Sequence, residues 1–169
     1  MSLFIPDFDD SVVVRAAGAE EIHYGTDSSL RLLADSSTTG RFLSTMRVSL
    51  GEGADGARPH HHGDSAEMFY VIDGTAQLLA GDKVVTAEAG DLVVVPPGQQ
   101  HAFAAAPGES AEMLVVITPG VERFEYFRHL ERIRLGELPP ESLLAVQELY
   151  DTYFGTSTVW EEARPPRTQ

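Results

Sequence analysis

The apolar positions of this 169-residue chain change period once, and that change sets its organisation. From Arg41 the pattern alternates. Phe42, Ser44, Met46, Val48 and Leu50 interleave with Leu43, Thr45, Arg47 and Ser49. Period two predicts a strand with the first set facing a core. Gly51-Glu52-Gly53-Ala54-Asp55-Gly56 then reads as a turn. Short strand-like runs follow. Glu67–Ile72 closes on Asp73-Gly74, Thr75–Ala80 and Lys83–Ala87 flank Gly81-Asp82 as a tight hairpin, and Leu92–Val95 closes on Pro96-Pro97-Gly98. His101–Ala105 and Glu112–Ile117 are separated by Pro107-Gly108. Before this region, Val12–Val14 and Leu30–Leu33 are expected as edge strands among loops. After Pro119-Gly120 the period becomes helical. Phe124, Phe127, Leu130 and Ile133 predict a helix ending near Gly136, and Pro139-Pro140 opens a second, with Leu143, Val146, Tyr150 and Tyr153 as its stripe and Gly155 as its stop.

These patterns predict a mostly β protein, a sandwich or barrel of many short strands followed by C-terminal α-helices. One domain is expected, in four parts: edge strands and loops over 1–40, the barrel core over 41–118, helices packing on it over 119–155, and a polar tail over 156–169.

Composition narrows the partners. The chain carries 12 Lys and Arg against 26 Asp and Glu, a formal charge of −14, which argues against nucleic acid and anionic membrane surfaces. It has no cysteine, which excludes disulfides, zinc–thiolate and iron–sulfur centres and a cysteine nucleophile. No apolar run approaches the roughly 18–20 residues of a bilayer span. Met1–Asp10 lacks the basic-then-apolar layout of a secretory leader, so a cytoplasmic location is expected.

The chemistry concentrates in Pro59-His60-His61-His62-Gly63-Asp64-Ser65-Ala66-Glu67. Residues two apart on an extended chain share a face, so His60 and His62 point one way and His61 the other. Gly63-Asp64-Ser65 is turn chemistry that can bring Glu67 back to them, with Glu67, Phe69 and Val71 facing inward. The Pro96-Pro97-Gly98 turn can return His101 to the same place. Three imidazoles and a carboxylate suit one divalent Fe, Mn, Ni, Co, Cu or Zn ion. Met46, Phe69 and Phe103 are candidates for an apolar substrate pocket beside it. His61 is expected to be exposed or to sit just behind the ligands, His23 and His129 to lie on the surface, and Gln99 and Gln100 to serve the turn or the rim. Asp7, Asp9 and Asp10 read as solvated charges.

The spacing resembles the two motifs of the cupin superfamily. His60-x-His62, four residues, Glu67, six residues and Gly74 match the first; Gly90, Pro96, Gly98 and His101 match the second. Two positions depart from the pattern: Ala54 stands at the opening glycine and Ala105 at the closing asparagine. The motifs span about a third of the chain. The resemblance implies a double-stranded β-helix, or jelly-roll barrel, with one metal inside. Thr118-Pro119-Gly120-Val121-Glu122-Arg123-Phe124 is similar to a segment of single-domain, quercetin-dioxygenase-like bacterial cupins, in which helices follow the barrel.

The leading expectation is therefore a metal-dependent dioxygenase. A small aromatic or enolisable substrate would bind the metal through oxygen, Glu67 would be the base with its pKa raised by an apolar pocket, and dioxygen would be the second substrate. The apolar lining and the lack of a basic cluster favour a neutral flavonol or polyketide, although Arg41, Arg47 and Arg58 lie near enough in sequence to bind one anion. The alternatives are a Lewis-acid cyclase, isomerase or dehydratase of a polyketide or dicarbonyl, and a non-catalytic small-molecule binder. A homodimer is expected from the resemblance and from the Phe- and Tyr-rich C-terminal helices.

Overall fold

The structure, a computed structural model, describes residues 8–164; Asp7 lies outside them. Glu21–Tyr24 (β1) and Ser28–Ala34 (β2) form a hairpin, and Ser44–Leu50 (β3) pairs with β2. His60–His61 (β4) is a two-residue strand. Ala66–Ala80 (β5), Lys83–Glu88 (β6), Leu92–Val95 (β7), His101–Ala105 (β8) and Ala111–Thr118 (β9) complete the barrel. Tyr153–Phe154 (β10) adds to the outer edge of β4. Strands run in the order β1-β2-β3-β9-β5-β8-β4-β10, with β6 and β7 also paired to β5. Every pairing is antiparallel, and the expected jelly-roll barrel with C-terminal helical segments is the observed architecture.

β5 is the hinge between the two sheets. The sequence predicts two strands broken at Asp73-Gly74; the structure shows one strand of 15 residues with a bulge between Val71 and Asp73. Before the bulge, Glu67, Phe69 and Val71 are buried and pair with β7 and β9. After it the buried phase moves to Ala76 and Leu78, and the partners become β6 and β8. An extra residue flips the side-chain alternation, so one strand faces the core in both sheets. Gly74 makes the bend possible. Its φ is +72, and a Cβ there would lie 2.0 Å from the Ser110 carbonyl oxygen.

Other predicted strands appear as read. Gly81-Asp82 closes the hairpin that pairs Ala80 with Lys83. On β3, Ser44, Met46, Val48 and Leu50 are buried, but Phe42 precedes the strand and is exposed. Val12–Val14 forms no strand and is exposed, so only the Leu30–Leu33 stretch belongs to a sheet.

The C-terminal third departs further. Phe124–Arg134 (α1) forms as predicted and ends before Gly136. The second helix does not extend to Tyr153. Pro140–Val146 is a 3-10 helix, and the chain then turns so that Tyr153 and Phe154 pair with His61 and His60. The tail is pinned down. Thr158–Ala163 (α2) buries Trp160 against Leu79, Ala102 and Ala104 on the outer face of β5 and β8. Arg164 then bonds the Gly53 and Ala105 carbonyls, Gln77 and Asp55. A stripe that mixes Tyr with Leu and Val suits a helix or a strand, and pairing with an open edge decided in favour of the strand.

Gly74→Ala should lower stability by about 2–4 kcal/mol, from left-handed strain plus the clash with Ser110. Gly90→Ala, with φ +96 and nothing near its Cβ, should cost only about 1 kcal/mol. Urea midpoints of the two variants check this, and equal losses would remove the steric argument.

Candidate metal centre

β4 and β8 place His60 directly across from His101, with ring centroids 4.3 Å apart. His62 follows one residue after β4, and the Gly98 amide of the Pro-Pro-Gly turn donates to its carbonyl at 2.7 Å. Glu67 opens β5 in the inward phase. All four residues are buried, each at 4% exposure or less, and each offers one ligand atom within 4.8 Å of the others. Glu67 Oε2 lies 2.6 Å from His101 Nε2, 3.1 Å from His62 Nε2 and 4.0 Å from His60 Nε2.

The other ring nitrogens are all anchored to the main chain. His60 Nδ1 donates to the Arg58 carbonyl at 2.8 Å, His62 Nδ1 to Asp151 at 2.5 Å and His101 Nδ1 to Gln99 at 2.9 Å. A backbone carbonyl only accepts, so each Nδ1 carries a proton and each Nε2 turns toward the carboxylate. Burial pushes His60 well below its usual value, and the neighbouring His101 charge adds to this. A neutral His60 therefore presents a lone pair to a carboxylate oxygen. Burial also opposes charge on His101, but its hydrogen bond to Glu67 outweighs that and raises its pKa. The donor set fits a single divalent cation: with each Nδ1 proton held by a main-chain carbonyl, the three Nε2 atoms and the Glu67 carboxylate can converge on one ion once the protons between them are given up.

Glu67 departs from its expected titration. Burial pushes the carboxyl up, as the sequence reading supposed, but hydrogen bonds from His101 and His62 reverse the direction and hold it well below the usual range. The carboxylate is ionised because its neighbours are imidazoles rather than apolar groups alone.

The candidate pocket residues take different places. Phe69 is fully buried with its ring 6.1 Å from that of His101, and Phe103 lies 5.4 Å from Phe69. Met46 is buried in the main core, across from Leu32 and Val115. His61 turns away from the cluster and stacks on Tyr153 at 5.2 Å. His23 is exposed, whereas His129 is half-buried and bonded to Ser142. The two departures from the motifs meet in space, for the Ala105 amide donates to the Ala54 carbonyl at 2.9 Å. Arg47 is paired with Glu112, and Arg58 lies over the Phe154 ring.

Sequence reasoning missed Asp151. Its carbonyl holds His62, and its carboxylate receives the Gly63 amide at 2.6 Å and the Asp64 amide at 3.1 Å. Asp151 adopts a left-handed φ of 47, a conformation that favours short polar side chains such as Asp. The amides of a Gly63-Asp64 turn must find an acceptor, but nothing local says that it lies 87 residues away. It also missed Arg123, within the quoted Glu122-Arg123-Phe124 segment and four residues before Phe127 on the inward stripe of α1.

Residues 46–117 match the family model described as the cupin domain. Among solved structures, the chain is similar to a nucleoside dehydratase of Streptomyces, with a TM-score of 0.53 and 20% identity over 68% of this chain and 87% of that one. It is similar to the polyketide cyclase RemF from Streptomyces resistomycificus, with a TM-score of 0.54 and 18% identity over 65% and 80%. It is also similar to a predicted oxalate decarboxylase from Thermotoga maritima, with a TM-score of 0.55 and 23% identity over 63% and 98%. No curated protein matches it by sequence. At these identities the likeness is one of fold. No helix of the described residues is long and apolar enough to cross a membrane.

In metal-free protein His101 holds a proton against Glu67, with a pKa above 6.5. A metal ligand must give that proton up. As pH falls through the raised pKa, metal uptake should release an increasing fraction of a proton, approaching one below it, and there the affinity should weaken about tenfold per pH unit. Calorimetry in buffers of different ionisation enthalpy measures the release, and zero release would contradict this protonation state.

Proposed function

From a cupin domain over residues 46–117 that gathers three histidines and a carboxylate inside its barrel, we propose a metal-dependent enzyme acting on a small enolisable or phenolic substrate. The observation that carries this reading is the set of three Nε2 atoms turned on Glu67, each fixed from behind by a main-chain carbonyl. His60, His62, Glu67 and His101 would hold one divalent transition-metal ion, which would supply Lewis acidity. The side chains do the rest. The three imidazoles are neutral when they hold the ion, and their anchored rings keep the donor geometry rigid without help from substrate. Glu67 uses Oε2 for the histidines, which leaves Oε1 to take the substrate's hydroxyl or α-carbon proton. With its pKa held low, Glu67 is a weak base and suits a substrate whose own proton is acidic. Phe69 and Phe103 give the surroundings an apolar wall that strengthens these charges by excluding water.

Within this scheme the reaction is a dioxygenation of a flavonol-like or other enolisable aromatic compound. The Phe-rich wall and the Pro119-Gly120…Glu122-Arg123-Phe124 segment support it. A Lewis-acid cyclisation or dehydration of a polyketide or dicarbonyl is the second reading. Its support is the likeness to a polyketide cyclase and a nucleoside dehydratase.

His62→Ala and His101→Ala should each lose stoichiometric metal, read by elemental analysis; one metal per chain in both variants would remove the site assignment. Protein loaded separately with Fe, Mn, Ni, Co, Cu or Zn should consume oxygen with a flavonol panel when the ion is redox-active, and not with Zn. Anaerobic turnover of a polyketide or β-dicarbonyl panel, with no oxygen uptake in any metal form, would select the second reading.

A further inference from the structure

Arg123 is a buried cation that no carboxylate neutralises. The residue is 3% exposed and precedes α1. No ion pair involves it among the described residues, whereas Arg31, Arg47, Arg128, Arg132, Arg134 and Arg164 each have an acidic partner. Its guanidinium carbon lies 4.2 Å from the centre of the Tyr126 ring and 5.2 Å from that of Phe127, and Nε is buried with no hydrogen-bond partner. Taking a charge out of water is costly, and aromatic faces compensate a guanidinium only in part. A cation buried at that cost is better explained by the arrangement it enforces than by stability it adds.

The arrangement is the turn around Asp151. Arg123 Nη1 donates to Thr152 Oγ1 at 2.8 Å and to the Tyr150 carbonyl at 3.2 Å, and Thr152 Oγ1 donates to the same carbonyl at 3.0 Å. These partners stand on either side of Asp151, whose φ of 47 is left-handed. A residue other than glycine keeps such a conformation only where its surroundings over-determine it. Arg123 fastens the turn from the C-terminal side of the fold, and the Asp151 carboxylate fastens it to the Gly63 and Asp64 amides. Between the two fastenings lies the Asp151 carbonyl, which accepts from His62 Nδ1. His60 and His101 need no such support, because their acceptors lie two residues away on their own segments.

Building on the metal-enzyme reading, we infer that Arg123 is a positioning residue of the metal centre: by holding the Tyr150–Thr152 turn it sets the Asp151 carbonyl, and through that carbonyl the tautomer and aim of His62. Arg123 makes no hydrogen bond to His60, His62, Glu67 or His101 among the described residues, so it acts at two removes. Without it the Asp151 peptide is free to rotate, the His62 ring loses its acceptor, and the Nε2 lone pair is no longer kept on the cluster. Metal affinity then rests on a side chain at the entry to α1. Linkage makes the dependence reciprocal, so that holding an ion tightens the turn. A guanidinium suits the task, because one nitrogen offers two hydrogens in a fixed plane and spans both acceptors, whereas an ammonium rotates freely.

Nickel affinity, measured by competition with a chelator, should fall about ten- to a hundredfold in Arg123→Gln, as for loss of other groups that orient a metal-binding histidine. Arg123→Lys should recover part of it. The selective readout is the set of histidine Nδ1–H resonances in metal-free protein. In Arg123→Gln that of His62 should lose its hydrogen-bonded shift and exchange faster with water, while those of His60 and His101 keep theirs. Unchanged nickel affinity in folded Arg123→Gln, or equal changes at all three histidines, would overturn the proposal. Should Arg123→Gln fail to fold, Thr152→Val carries the same two measurements, because it removes one acceptor and leaves the cation in place. Should that fail too, wild type decides. Nickel should slow hydrogen exchange at the Thr152 and Phe154 amides more than at the Leu135 and Gly136 amides beyond the far end of α1, and an equal effect would overturn the proposal. Failure of wild type to take up nickel would sink the metal-enzyme reading alone, because the metal-free resonances still test Arg123.

Discussion

Three hydrogen bonds from imidazole Nδ1 atoms to backbone carbonyls are what the centre depends on. They assign the tautomer, aim the Nε2 atoms and hold the rings against rotation. Two of the carbonyls, on Arg58 and Gln99, lie two residues before the histidine they serve, so strand geometry supplies them at no further cost in folding. The third, on Asp151, comes from the far end of the chain. His62 is thus the histidine whose aim rests on tertiary structure, and it makes the C-terminal segment part of the centre.

That segment is held from several sides. Tyr153 and Phe154 pair with the histidine strand, Asp151 collects the two amides after it, and Arg123 fastens the same turn to the start of α1. Asp35 in turn caps α1 through the Arg123 and Phe124 amides. Negative charge at a helix N-terminus is favourable, and a buried carboxylate with four donors loses little by leaving water. The barrel provides the cluster, and this C-terminal framework joins a buried positive charge to its rim.

Much of this is legible in the amino-acid sequence. Alternation gave β3, and Pro and Gly punctuation gave the bounds of β7 and β8 and the β5–β6 hairpin. His60, His62, Glu67 and His101 stood out because they occur at spacings that two hairpin returns can bring together. What escaped has a common character. The continuity of β5 depends on a bulge that Asp73-Gly74 imitates as a turn. The strand at Tyr153 depends on an open edge at His61, and the low pKa of Glu67 depends on how many imidazole nitrogens reach one oxygen.

The sequence by itself determined the fold class, the identity of the converging donors and the exclusion of thiolate ligands, because periodicity and residue type are local properties. Tertiary structure alone decided which carbonyl orients His62, where Glu67 titrates and which arginine is left buried without an acid. Those outcomes are sums over neighbours brought together from across the chain: burial removes water from a charge, and only the folded arrangement says whether an opposite charge replaces it.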